Sequence, residues 1–244
     1  LAMAATGAFA GTAVYTGSND AVQLGIPTGD DAYGDWNEDE VLSVGATPTG
    51  YVLTMAAGKW GDITLPADAA TPWATPQTYD VTGNDLVFTA TIDGDADDKQ
   101  PGIILYDYDG NDAVEFNYNW GTQAFRVDYA NNDSWDGADI SLAHSGPITL
   151  QLIASGTNVL LQYDIGSGFV TADTRVMPSA ANLTDGVMYA KIRGCRDSAG
   201  STAGTSFSAL TLSGTGVTTI DQDPPEPEGE GEEEGAPEVG ETVM

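Results

Sequence analysis

The chain has little cysteine, little histidine and little positive charge, and each shortage removes a class of protein. Cys195 is the one cysteine among 244 residues. It cannot close an internal disulfide, which sets aside the cysteine-stapled eukaryotic modules, and it reads as a core or strand-end residue. His144 is the one histidine, so no second imidazole is at hand for a zinc or haem site. Seven Lys and Arg stand against 37 Asp and Glu, a formal net charge of -30. A field of that sign repels phosphate backbones and anionic lipid, which argues against nucleic acid and membrane partners. The body also lacks any stretch with the periodicity of a long amphipathic helix.

What is abundant points one way. Thirty Gly and twelve Pro, with many Thr and Val, suit many short strands joined by many turns. A hydrophobic content of 41%, with 9% aromatics, is enough for a sizeable core. The acidity is matched to solubility or to attracting divalent cations, and it suits a salty or calcium-containing exterior.

Both ends differ from the middle. Residues 1–10 are uncharged, small and apolar, too short to span a bilayer, and finish Ala8-Phe9-Ala10. That A-x-A ending is the kind read by signal peptidase, so the segment is expected to be the remnant of a secretory signal, with Gly11 as the mature start. An ordinary first strand or terminus is the rival reading. Residues 215–244 form an acidic Pro/Gly/Glu-rich linker or tail, with ten acidic and no basic residues from Asp221 onward. Like charges along it repel, so it is expected to be extended and solvated. Without those ten charges the rest still carries -30 + 10 = -20.

Residues 11–214 are expected to be one all-β domain, an antiparallel sandwich of two sheets. Period-two alternation recurs there with turn chemistry between the runs. Leu86, Phe88, Ala90 and Ile92 share one face, as do Val114, Phe116 and Tyr118, then Phe125, Val127 and Tyr129. Ile148, Leu150 and Leu152 repeat the rhythm, followed by VLLQYDI, FVTADTRV, GVMYAKIRG and TSFSALTLSG.

The succession GIILYDYDGNDAVEFNY, FRVDY, GPITLQLIASGTNVLLQYDIGSGFV, GVMYAKIRG, TSFSALTLSG resembles concanavalin A-like (laminin-G/pentraxin-type) jelly rolls of bacterial secreted proteins. It covers roughly residues 80–214, and residues 11–79 fit as opening strands and long loops. The resemblance implies a fold and contact with glycans. That family spans glycosidases, lyases, lectins and structural modules, so the fold leaves function open. Its glycosidases carry an E-x-D-x-E-like strand, whereas AVEFNYNW offers Glu115 followed by Asn117 and Asn119. A lyase would need Arg, His and Tyr to converge, and His144 lies in a turn without such partners. No catalytic residues are therefore assigned, and the chain is expected not to be an enzyme.

Two sets of residues remain as binding candidates. Trp120 and Trp135 can offer flat apolar faces to sugar rings, and Glu115, Asn117, Arg126 and Asp128 can take their hydroxyls on one sheet face. Trp36, Trp60 and Trp73 read equally as plugs of the sandwich ends. Asp93, Asp95, Asp97 and Asp98 fall in one turn, DGDADDKQ, and can hold calcium weakly. The turn is not an EF-hand, because Asp98 stands where glycine is needed and Ile104 where the bidentate glutamate is needed. A solvated hairpin tip is the plain alternative, and the acidic stretch 29–35 is a second, weaker calcium candidate. The reading is a non-catalytic, extracellular glycan-binding or adhesion module binding a polysaccharide or cell-surface glycan. Its rival is a structural subunit of a surface layer, sheath or filament, self-assembled and stabilised by calcium.

Overall fold

A computed structural model describes residues 10–15, 41–47, 49–55, 60–65, 79–80, 85–95, 100–107, 113–131, 134–177, 187–195 and 204–215. Among them there is no helix, and hence none long and apolar enough to cross a membrane. The strands are β1 (Ala10–Tyr15), β2 (Val41–Thr47), β3 (Gly50–Met55), β4 (Trp60–Thr64) and β5 (Tyr79–Asp80). They continue as β6 (Asp85–Asp93), β7 (Gly102–Asp107), β8 (Ala113–Asn119), β9 (Ala124–Asn131) and β10 (Ser134–Ser141). The last are β11 (Ile148–Ser155), β12 (Asn158–Asp164), β13 (Val170–Val176), β14 (Val187–Cys195) and β15 (Thr205–Thr215).

They form two antiparallel sheets packed as a sandwich. One runs β13-β12-β11-β6-β15-β3-β2, with β1 also on β15, and the other runs β10-β9-β8-β7-β14-β4, with β5 also on β14. Alternation decides which side chains meet between the sheets. Leu86, Phe88, Ala90, Leu150, Leu152 and Leu212 come from the first sheet, and Ile103, Leu105, Phe116, Phe125, Val127 and Ile192 from the second. The aromatic residues interlock there: Phe116 lies 5.1 Å from Phe125, and Phe125 lies 4.8 Å from Tyr163 of the facing sheet.

The two outward faces differ chemically. In the centre of the first sheet, threonine, serine and glutamine stand half-buried, with Thr91 and Thr149 hydroxyls 2.8 Å apart and Gln151 donating to Thr89 at 3.2 Å. The second sheet instead carries Glu115, Arg126, Asp128, Lys191 and Arg193 on its outward face, as described below.

Polar side chains also tie the periphery. Tyr118 Oη donates to the carbonyls of Leu142 and His144 (2.8 and 2.9 Å) and accepts from the His144 N–H, which holds the link from β10 to β11. At one rim Tyr129 donates to Asp173 at 2.8 Å, Arg175 lies 4.3 Å above the Tyr129 ring, and Arg175 pairs with Asp136. These bonds join β9 and β10 of one sheet to β13 of the other. Burial and the Asp173 bond push the Tyr129 phenol far above its usual pKa.

One strand departs from the sequence reading. Residues 134–141 form β10, although SWDGADIS has almost no alternating apolar residues. An edge strand whose positions 136–139 all face water has no core to record in its sequence. Trp135 therefore stands in a strand. Gly11 lies in β1, which begins at Ala10 against Thr215. Residues 1–9 and the acidic stretch beyond 215 lie outside the described residues, as do Trp36 and Trp73.

Candidate functional site

The site is built on the outward positions of β8. Val114, Phe116 and Tyr118 enter the core, so Glu115 and Asn117 must point the other way. Register then aligns their neighbours in two rows. One runs Gly137, Asp128, Glu115, Ile104, Lys191 across β10, β9, β8, β7 and β14. The next runs Asp139, Arg126, Asn117, Gly102, Arg193 across the same strands. Of the four polar residues expected to share a face, all four do: Glu115, Asn117, Arg126 and Asp128.

The rows grade from dry to wet. Glu115, Asn117, Lys191 and Arg193 are buried, whereas the Arg126, Asp128 and Asp139 side chains are 35%, 14% and 69% exposed. At the dry end Arg193 Nη1 pairs with Glu115 Oε2, and Asn117 Nδ2 donates to the same oxygen at 3.3 Å. At the wet end Arg126 grips Asp128 through two bonds, Nε to Oδ2 at 2.9 Å and Nη2 to Oδ1 at 2.7 Å, and reaches Asp139 at 3.4 Å. The Asp128 bond holds the Arg126 guanidinium above its usual pKa, partly opposed by desolvation.

Two glycines make room for this layer. A Cβ on Gly137 would lie 1.9 Å from Asp128 Oδ1 and 2.7 Å from Arg126 Nη2. A Cβ on Gly102 would lie 2.3 Å from Asn117 Oδ1 and 2.2 Å from the Phe116 carbonyl oxygen. The polar side chains thus lie flat across positions that any other residue would fill. Asn117 Oδ1, fully buried, has no donor.

Trp120 does not join this face. It is 6% exposed, belongs to the core cluster and packs edge-on against Tyr118 with ring centres 5.0 Å apart. Two residues beyond Tyr118, it follows the inward parity of β8, so a platform for sugar rings is ruled out at that position. Trp135 takes the register position opposite Ala130, whose own partner on β8 is Ala113. Of the acidic turn, Asp93 ends β6 exposed and Asp95 is half-buried, while Asp97 and Asp98 lie outside the described residues, as does 29–35. Among the described residues no three metal-ligating side chains converge.

Sequence reasoning missed Lys191, Arg193, Asp139 and the two glycines. A signal for the first two was available. In a chain with seven basic residues, Lys191 and Arg193 flank Ile192 within one strand, which marks them as a charged pair on the outward face.

No protein-family model and no curated protein matches the chain. Among solved structures it is similar to the Crh5 transglycosylase in complex with NAG, at 12% identity over 86% of this chain and 84% of that one, with a TM-score of 0.48. It is also similar to carbohydrate-binding module CBM66 from Bacillus subtilis (12% identity, 70% of this chain, 90% of that one, TM-score 0.45). A third is a functionally unknown protein from Saccharomyces cerevisiae (10% identity, 75% of this chain, 94% of that one, TM-score 0.46).

Proposed function

We propose that this chain is a non-catalytic glycan-binding or adhesion module of a secreted or surface protein, on a sandwich of the concanavalin A-like jelly-roll type. One observation carries the reading: a sheet face on which Asn117, Arg126, Asp128 and Asp139 form a fixed polar layer, dry at one end and open to water at the other. Binding sites use a few placed polar groups to fix orientation, and groups already locked by their neighbours lose little freedom when a ligand arrives.

Binding without cleavage is supported by the state of the carboxylates. Glycoside hydrolysis needs one carboxyl to protonate the leaving oxygen and another to attack or to activate water. Here Glu115 and Asp128 are register partners on neighbouring strands, and each is occupied by a guanidinium. The positions two and four residues after Glu115 hold amides.

The test is retention on immobilised polysaccharides by the parent, Arg126→Ala and Asp128→Ala. Both variants should bind at least tenfold more weakly while melting within a few degrees of the parent. No reducing ends should be released on prolonged incubation. Variants that bind as the parent does, or a parent that is retained by no polysaccharide, would refute the assignment.

A further inference from the structure

We infer that the face takes a neutral, hydroxyl-rich glycan and turns away glycans bearing uronate or sulfate groups; the inference rests on the glycan-binding reading above and names its ligand class. Charge is the first ground. From β10 to β14 the two rows hold three cations, Arg126, Lys191 and Arg193, against three anions, Glu115, Asp128 and Asp139, and the second row continues to Asp62 on β4, opposite Arg193. Both guanidiniums already lie against carboxylates, Arg126 on Asp128 and Asp139 and Arg193 on Glu115. An anionic sugar reaching Arg126 would lie against carboxylates that are fixed to the sheet. It would also approach against the field of a chain with net charge -30.

Hydrogen-bond supply is the second ground. A carboxylate offers about four lone-pair directions, and an arginine five N–H groups. Arg126 spends three of its five N–H groups on Asp128 and Asp139, while each Asp128 oxygen accepts one of them and keeps a further lone pair. Asn117 Oδ1, at 0% exposure, accepts nothing from the protein. Asn117 and Asp128 therefore need donors, while Arg126 keeps two N–H groups that need acceptors, and a hydroxyl serves both. A sugar hydroxyl donates one bond and accepts others, whereas a carboxylate or sulfate group only accepts. Buried polar groups left unpaired discriminate strongly between such ligands, because the mismatch leaves an acceptor desolvated without a donor.

Paired ligands of one backbone separate these chemistries. Retardation in affinity gels would be measured with polygalacturonate and with its full methyl ester, alongside neutral β-glucan, xylan and mannan. The expected result is retardation by at least one neutral polymer, unchanged between 50 and 500 mM NaCl and abolished in Asp128→Ala, with none by polygalacturonate. Stronger retardation by polygalacturonate than by its ester, weakening with salt and lost in Arg126→Ala, would overturn the neutral-ligand inference and leave the glycan site standing. Retardation by no polymer, or equal retardation of parent and both variants, would overturn the glycan site itself. Gly137→Ala gives an independent check, since its Cβ displaces the Arg126–Asp128 pair while leaving both functional groups in the chain. It should lose neutral-polymer binding as Asp128→Ala does, and full retention would overturn the role given to that pair.

Discussion

Glu115 and Arg193 are buried together, 78 residues apart in sequence, and a charge in such surroundings is stable only while its partner is present. Glu115→Ala breaks this buried pair and should cost about 3–5 kcal/mol, read as a drop in the urea midpoint. Glu115→Leu combined with Arg193→Met removes both charges and should recover most of that loss. If the double variant were as unstable as the single one, the loss would lie in packing and not in the broken ion pair. Gly102 makes a second point at this scale. Its neighbours across the sheet are the Phe116 carbonyl and Asn117, and backbone cannot swing aside as a side-chain tip can. Gly102→Ala should therefore destabilise by about 1–3 kcal/mol, whereas Gly137→Ala, which meets mainly side-chain ends, should melt close to the parent. Equal melting losses for the two would contradict this.

Among the elements, the β12–β13 hairpin owes its turn to one carboxylate and two glycines. Gly166 and Gly168, both at positive φ, bring three successive N–H groups onto Asp164 Oδ1 at 2.7–2.9 Å. The Gly166 bond is the largest contribution to a native pKa below the ordinary 3.8 for this aspartate. A depressed carboxylate stabilises the fold fully above its unfolded pKa and loses that contribution as the pH falls through the lower native value. Asp164→Asn should thus melt below the parent at pH 7, with the gap narrowing once the pH drops under 3.8. A gap that stayed constant to the onset of acid unfolding would show that charge on Asp164 is irrelevant. Elements with a buried face, such as β6, β8, β9 and β11, were legible from their alternation. β10 was not, because its exposed, polar residues record no packing.

For the whole molecule the governing quantity is charge. Self-repulsion in a chain of net charge -30 weakens the compact state, and added salt screens it. Sodium chloride should raise the melting temperature at neutral pH. The acidic turn that includes Asp93 and Asp95 is proposed to hold calcium weakly, which predicts a further rise with 10 mM calcium beyond sodium at matched ionic strength, lost in Asp95→Asn with Asp97→Asn. Equal effects of the two salts would leave the turn as a solvated tip.

The sequence by itself determined the class of fold and much of its core, because a strand's side chains alternate strictly and apolar residues at every second position can only be buried together. It also placed Glu115, Asn117, Arg126 and Asp128 on a common face, since their strands are consecutive and joined by short turns. What covers a face, and which distant strand lies beside it, is not written in any local pattern. Thr89 on β6 and Glu115 on β8 hold equivalent outward positions, yet one is half-buried among hydroxyls and the other is paired with a buried arginine. Only the sheet order, with β14 crossing the sequence to lie against β7, brought Arg193 and Lys191 to the site. The same parity that points Glu115 outward sends Trp120 into the core once the turn after β8 folds back on Tyr118.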